Sequence, residues 1–105
     1  MTIFHTRQKR TWETVAPGVE FSILRTHDQP GGQTMLVRMA AGAHAPRHTH
    51  PGGEETYLVS GKLRIAEREL SPGDYLWTPP NVAHDGHADE ETVFFVVLPA
   101  GLRLT

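Results

Sequence analysis

The apolar positions of this chain fall in short runs, and glycine or proline interrupts the sequence at 17–18, 30–32, 42, 46, 51–53, 61, 72–73, 79–80, 86, 99 and 101. Each interruption stops helical propagation, so a long helix has nowhere to lie. The runs between them are rich in β-branched and aromatic residues and predict strands over Val19–Thr26, Thr34–Ala40, Thr56–Ser60, Lys62–Ala66, Tyr75–Thr78 and Val93–Leu98. Val19, Phe21 and Ile23 alternate with polar neighbours, and Met35, Val37 and Met39 flank Arg38 in the same way, which is the period of a half-buried strand. Val93–Leu98 is apolar throughout and predicts a strand covered on both faces or placed at an interface. Leu70-Ser-Pro-Gly-Asp74 and Thr78-Pro-Pro-Asn81 carry turn chemistry, because Pro presets φ and Gly or Asn tolerates the left-handed region. Many short strands at near-regular spacing predict an all-β sandwich or small barrel.

At 105 residues the chain is long enough for one domain with one core and no second unit. Residues 1–15 are polar and weakly patterned and read as an N-terminal arm, loose or added to a sheet edge, ahead of a barrel domain over 16–105. The absence of cysteine excludes disulfides, thiolate metal sites and cysteine nucleophiles, and fits a reducing, cytoplasmic compartment. A net charge of −2 gives no nucleic-acid footprint, and the first ten residues hold no apolar run of the length a signal peptide or membrane span needs.

Histidine brings in the chemistry. On a strand, positions two apart point the same way, so His48 and His50 can converge on one point. Pro51-Gly-Gly53 then bends the chain, and Glu54 opens the next strand. If Glu54 faces inward, so do Thr56 and Leu58, while Glu55 and Tyr57 face the other way; Glu55 is the rival carboxylate. A later segment, Gly73 to His87, contributes His84. Two imidazoles, a carboxylate and a third imidazole from a distant strand suit a divalent transition ion.

Gly42, His48, His50, Glu54 and Gly61 fit without a gap the pattern G-x5-H-x-H-x3,4-E-x6-G, and Gly73, Pro79 and His84 fit most of G-x5-P-x-G-x2-H-x3-N. By these two motifs the chain resembles the cupins over about residues 19–98, with Asn81 in place of the inner Gly and Ala88 in place of the final Asn. From Met35-Leu-Val-Arg-Met-Ala-Ala-Gly42 through Pro-Gly-Gly-Glu-Glu it looks most like the ChrR-type group, which includes the metal-binding sensory domain of an anti-sigma factor and some small dioxygenases. The resemblance implies a single-domain cupin β-barrel, a double-stranded β-helix of jelly-roll type. It also implies that His48, His50, Glu54 and His84 hold one ion, with Fe, Zn, Mn and Ni all compatible.

Other side chains have a functional and a plain reading. His44 and His87 are proton shuttles or donors behind a ligand, or solvated loop histidines. Tyr57 and Trp77 line the pocket or pack as strand aromatics; Arg38 meets an anionic substrate from inside the barrel or snorkels to solvent. Met35, Val37 and Leu58 are expected to form an apolar pocket wall for a small organic ligand. Without a Ser, Cys or Lys nucleophile, the metal carries the chemistry. The expected function is a non-haem iron-dependent dioxygenase acting on a small oxygenated compound. The alternatives are a metal-containing ligand-binding or sensory module and, third, a sugar isomerase or epimerase. The apolar run Val93–Leu98 and the polar arm suggest a homodimer, a habit the resemblance shares.

Overall fold

The computed structural model describes residues 1–104; Thr105, the last residue of the expected barrel segment, lies outside the described residues. Eleven strands follow one turn of 3₁₀ helix at Arg7–Lys9: β1 Glu13–Ala16, β2 Val19–Thr26, β3 Gln33–Met39, β4 His44–Thr49, β5 Glu54–Ser60, β6 Leu63–Ile65, β7 Arg68–Leu70, β8 Tyr75–Thr78, β9 His84–His87, β10 Thr92–Leu98 and β11 Arg103–Leu104. They form two antiparallel sheets, one ordered β1-β2-β3-β10-β5-β8 and the other β11-β4-β9-β6-β7. This is the all-β, single-domain cupin barrel, and its two sheets bury one core between them.

The predicted limits of β2 and β8 coincide with the observed ones, while β3, β5 and β10 begin one or two residues earlier than expected. Inner-face residues recur at every second position: Met35, Val37 and Met39 on β3, Thr56 and Leu58 on β5, and Phe94, Val96 and Leu98 on β10 are all buried. Leu63, Ile65 and Leu70 close the core from the other sheet. Emptying one such position, as in Leu58→Ala, removes the packing of a fully buried side chain, an effect of about 2–5 kcal/mol.

β10 runs between β3 and β5, which explains its continuous hydrophobicity. Phe94, Val96 and Leu98 enter the core, while Val93, Phe95 and Val97 stay half-buried on the outer face. The arm lies against the six-stranded sheet. β1 pairs with β2, and the His5 imidazole and the Leu24 carbonyl are 2.6 Å apart. Trp12 stacks on the Arg38 guanidinium at 4.1 Å.

Turns hold the site end in place. Asn81 adopts φ +64°, so the residue standing at the inner Gly position of the second motif supplies the same left-handed bend. Gly61, at φ +84°, closes the turn from β5 to β6 against Thr92, whose hydroxyl accepts the Lys62 N–H at 3.1 Å. Any Cβ at Gly61 would run into the Glu91 carbonyl and Thr92. Among the described residues no helix is long and apolar enough to cross a membrane.

Candidate metal centre

The candidate centre draws on both sheets. His48 on β4 lies directly opposite His84 on β9, and His50 follows two residues beyond His48. The chain then turns: the His50 carbonyl accepts the N–H groups of Gly53 (3.0 Å) and Asn81 (3.1 Å), tying together the segments that carry His50, Glu54 and His84. Gly53 makes this bend at φ +81°, where a Cβ would collide with the Trp77 ring, and Glu54 enters the six-stranded sheet.

Three imidazoles meet. The ring centroids are 4.7 Å apart for His48–His50, 4.7 Å for His48–His84 and 5.2 Å for His50–His84, and one donor nitrogen from each lies within 4.8 Å of the others. The Glu54 carboxylate stands outside that mutual set, yet its Oε1 is 3.5 Å from Nε2 of both His50 and His84. Glu54 is buried, whereas Glu55 projects outward and accepts the Tyr75 hydroxyl at 2.9 Å. The geometry thus turns Glu54, not Glu55, towards the imidazoles.

The donors are arranged for a cation. Carbonyl oxygens only accept hydrogen bonds, so the contacts of His48 Nδ1 with the Pro46 carbonyl and of His50 Nδ1 with the Gly101 carbonyl (3.3 Å) put the ring proton on Nδ1. Nε2 of each ring then presents a lone pair. His48 Nε2 and His84 Nε2 are 3.1 Å apart, and His50 Nε2 and Glu54 Oε1 are buried without a hydrogen-bond partner. Donors about 2.0–2.1 Å from a common ion are roughly 3–3.4 Å from one another, so the 3.1 and 3.5 Å separations match the edges of such a polyhedron. A single proton can bridge one pair, but three clustered imidazole nitrogens with a carboxylate oxygen beside two of them could hold a multivalent ion. The residues fit a transition metal.

Burial also sets the protonation states. It pushes His50 down to about 4, with the proximity of His48 adding to the effect and the Gly101 hydrogen bond opposing it. His84 also falls to about 4, by burial first and then by His48 and His50. Both rings are therefore neutral at physiological pH, as ligands must be. Burial raises Glu54 to about 7, partly offset by the nearby Thr56 hydroxyl. That carboxyl lacks the compensating positive charge that a bound ion would bring.

A cavity of about 390 Å³ adjoins the donors. Its walls include Phe21, Met35, Val37, Phe94, Val96 and Leu98, and His48, His50 and Glu54 lie at its polar end. Met35 and Val37 line it as expected, while Leu58 is buried in the core outside the lining. Four expected pocket residues stand elsewhere. Tyr57 and Trp77 are about half exposed on the outer face of the six-stranded sheet, because β5–β8 pairing places Trp77 beside outward-facing Glu55. Arg38 also points outward, 2.9 Å from Glu20, and His87 bonds Asp89 at 2.7 Å. His44 pairs with Asp85 at 2.7 Å, again on the outside.

Sequence reasoning missed the contribution of the chain ends. Val15 and Ala16 from β1, and Gly101, Leu102 and Leu104 at the other end, complete the wall, and the Gly101 carbonyl orients His50. The 99–104 segment carries no periodic signal that points to this. Gln33 was legible: the alternation that turns Met35 inward turns Gln33 inward too.

The family model described as a ChrR cupin-like domain matches residues 1–100. The chain is 33% identical over 88 residues to the DNA damage-repair/toleration protein DRT102 of Arabidopsis thaliana; the match covers 78% of this chain and only 27% of that protein. The solved structure of KdgF from Halomonas sp. is 26% identical with a TM-score of 0.77, over 93% of this chain and 94% of that one. An acetylacetone dioxygenase from Acinetobacter johnsonii shares the fold at 15% identity, with a TM-score of 0.82 over 99% of this chain and 76% of that one.

Proposed function

The chain belongs to the ChrR cupin-like family, and from that premise we propose that it is a non-haem iron-dependent dioxygenase acting on a small, oxygenated, largely apolar organic compound. The observation that carries this reading is an apolar cavity of about 390 Å³ lined at one end by His48, His50 and Glu54, beside the cluster of His48, His50 and His84. An acetylacetone dioxygenase among the fold neighbours supports the same substrate class. His48, His50, Glu54 and His84 would hold the ion.

A bound divalent iron would supply Lewis acidity and the one-electron chemistry that lets O₂ react with a closed-shell substrate. The protein's share is binding and placement. The Pro46 and Gly101 carbonyls fix the rings of His48 and His50, so the donors need little reorganisation when an ion binds. The wall of Phe21, Met35, Val37, Phe94 and Val96 desolvates the substrate's carbon frame and excludes water from the reacting end. In the overall reaction both atoms of O₂ enter the products and a carbon–carbon bond of the substrate breaks, so no further reductant is needed.

O₂ uptake by iron-loaded protein, measured against diketone, phenolic and flavonoid compounds, tests the proposal. Uptake that depends on both iron and one substrate class is expected; none with any of them refutes it. A ligand-binding or sensory module is the second reading. It is favoured by the donor count, since four protein ligands saturate a four-coordinate zinc ion. Tight zinc in natively produced protein, with ligand binding but no turnover, would select it. An isomerase or epimerase acting on a sugar finds little support, because among the described residues Gln33 is the only polar lining side chain besides the candidate ligands. We further assign residues 1–15 as an arm and 16–105 as the barrel domain. The exposed Tyr57, Val59, Tyr75 and Trp77 form the proposed homodimer face.

A further inference from the structure

Eighteen of the described residues line the cavity, and among them, apart from His48, His50 and Glu54, the only side chain able to form hydrogen bonds is that of Gln33. Its place follows from the strand register. Gln33 lies opposite Leu98, and Val97 lies opposite Glu55, so continuing the β10–β5 ladder by one residue brings Leu98 beside Glu54. Gln33, Leu98 and Glu54 therefore form one layer across three neighbouring strands. Their side chains share a face, with Gln33 two strand spacings, about 10 Å, from Glu54. The Gln33 amide makes no hydrogen bond with another side chain among the described residues, so its donor and acceptor are free to serve a ligand. Among the described residues no Lys or Arg lines the cavity, so only a bound metal could neutralise an anionic ligand there.

From this layer we infer that Gln33 is a specificity-determining residue. It hydrogen-bonds one oxygen function of a neutral substrate while a second oxygen function occupies the metal end, and the carbon frame between them rests on Met35, Val96 and Leu98. The ligand class is thus an uncharged compound with oxygen at both ends of a short apolar frame. The inference rests on the proposed metal-dependent reading and narrows its substrate.

The test is a binding cycle on iron-loaded protein kept free of O₂, where turnover does not interfere. Titration calorimetry compares wild type with Gln33→Leu, using a series of diketones from butane-2,3-dione to octane-2,7-dione and the monoketone of matching length for each. Wild type should bind at least one diketone about tenfold more tightly than its monoketone, the size of one well-made hydrogen bond. Gln33→Leu should erase that preference while leaving monoketone binding and iron affinity unchanged, and Gln33→Asn should restore part of it for a longer member of the series. A preference that survives in Gln33→Leu, or is missing from wild type, overturns the role of Gln33. Failure of every ketone to bind wild type in an iron-dependent way is a separate outcome: it removes the metal-centred reading itself, and this inference with it.

Discussion

Replacing Glu54 with Gln should make the metal-free protein relatively more stable as pH rises, and the metal-bound protein less stable. Glu54 is 5% exposed, and burial raises its carboxyl from 4.5 to about 7. An acid whose folded pKa lies above its unfolded value contributes its full stability below the unfolded value and loses it as pH rises through the folded one. Here that loss runs from about pH 4.5 to 7, because the unfolded chain releases the proton first. At about 1.4 kcal/mol per tenfold, the whole shift amounts to about 3 kcal/mol, and the part falling between pH 5 and 8 to about 2–3 kcal/mol. The amide of the Glu54→Gln variant has a similar shape but no such dependence. Urea unfolding of both proteins in excess chelator at pH 5, 6, 7 and 8 measures the difference directly; any fixed cost of burying the amide cancels in the pH trend. Saturating zinc should reverse the order at pH 8, since the cation stabilises an ionised carboxylate and gains less from an amide. A stability difference that stays flat from pH 5 to 8 would refute the placement of Glu54 as a buried carboxylate awaiting a cation.

Three further outcomes follow from other parts of the molecule. His50 and His84, both lowered from 6.5 to about 4, give the opposite slope: below 6.5 the unfolded chain takes up protons that the folded one refuses. Their combined replacement by Gln should therefore flatten the acid limb of the metal-free stability curve between pH 6.5 and 4, and an unchanged limb would show that these rings are not buried neutral. Gly61→Ala places a Cβ against the Glu91 carbonyl and Thr92 at φ +84°, whereas Gly42→Ala has φ +83° and open space within 4 Å. Urea midpoints should show a loss of about 1 kcal/mol at Gly42 and at least twice that at Gly61, and equal losses would contradict the packing around Thr92. The native mass by sedimentation should be about twice 11.7 kDa and fall to one copy in a Tyr75→Arg, Trp77→Arg double variant; a wild-type monomer would dispose of the proposed dimer face.

Strands with an apolar alternation were legible, and strands held only by their neighbours were not. Val19–Thr26 and Tyr75–Thr78 announce themselves through β-branched and aromatic residues. Arg68–Leu70, His84–His87 and Arg103–Leu104 do not, because Arg-Glu-Leu, His-Asp-Gly-His and Arg-Leu have no period of their own and pair only because β6, β4 and their neighbours offer an edge. The same division runs through the site. Alternation along β5 was enough to set Glu54, Thr56 and Leu58 on one face and Glu55 and Tyr57 on the other. It says nothing of Trp77, whose direction depends on the β5–β8 register, nor of Arg38, which the Glu20 carboxylate and the Trp12 ring hold outside. Leu102, Leu104 and the Gly101 carbonyl reach the cavity only after the chain end returns beside β4.

The division of donors between the sheets has a consequence for how metal and fold depend on each other. His48 and His84 belong to the five-stranded sheet and Glu54 opens a strand of the six-stranded one, with His50 at the crossing between them. An ion held by all four joins the two halves of the barrel at the end where they are also linked by the turn from His50 to Gly53. Without the ion, that end packs a carboxylate raised to about 7 against two imidazoles lowered to about 4, so each group is held in the state that costs least in a dry environment. A bound ion would favour the ionised form of Glu54 and use the lone pairs already exposed on the rings, and its binding free energy would become stability of the sheet-to-sheet contact through mass action. The cavity mouth lies beside the same junction, since Val15 comes from the edge strand β1 of one sheet and Leu104 from the edge strand β11 of the other. A cation held at His50 and Glu54 would thereby also constrain the spacing of the apolar walls against which a substrate must fit.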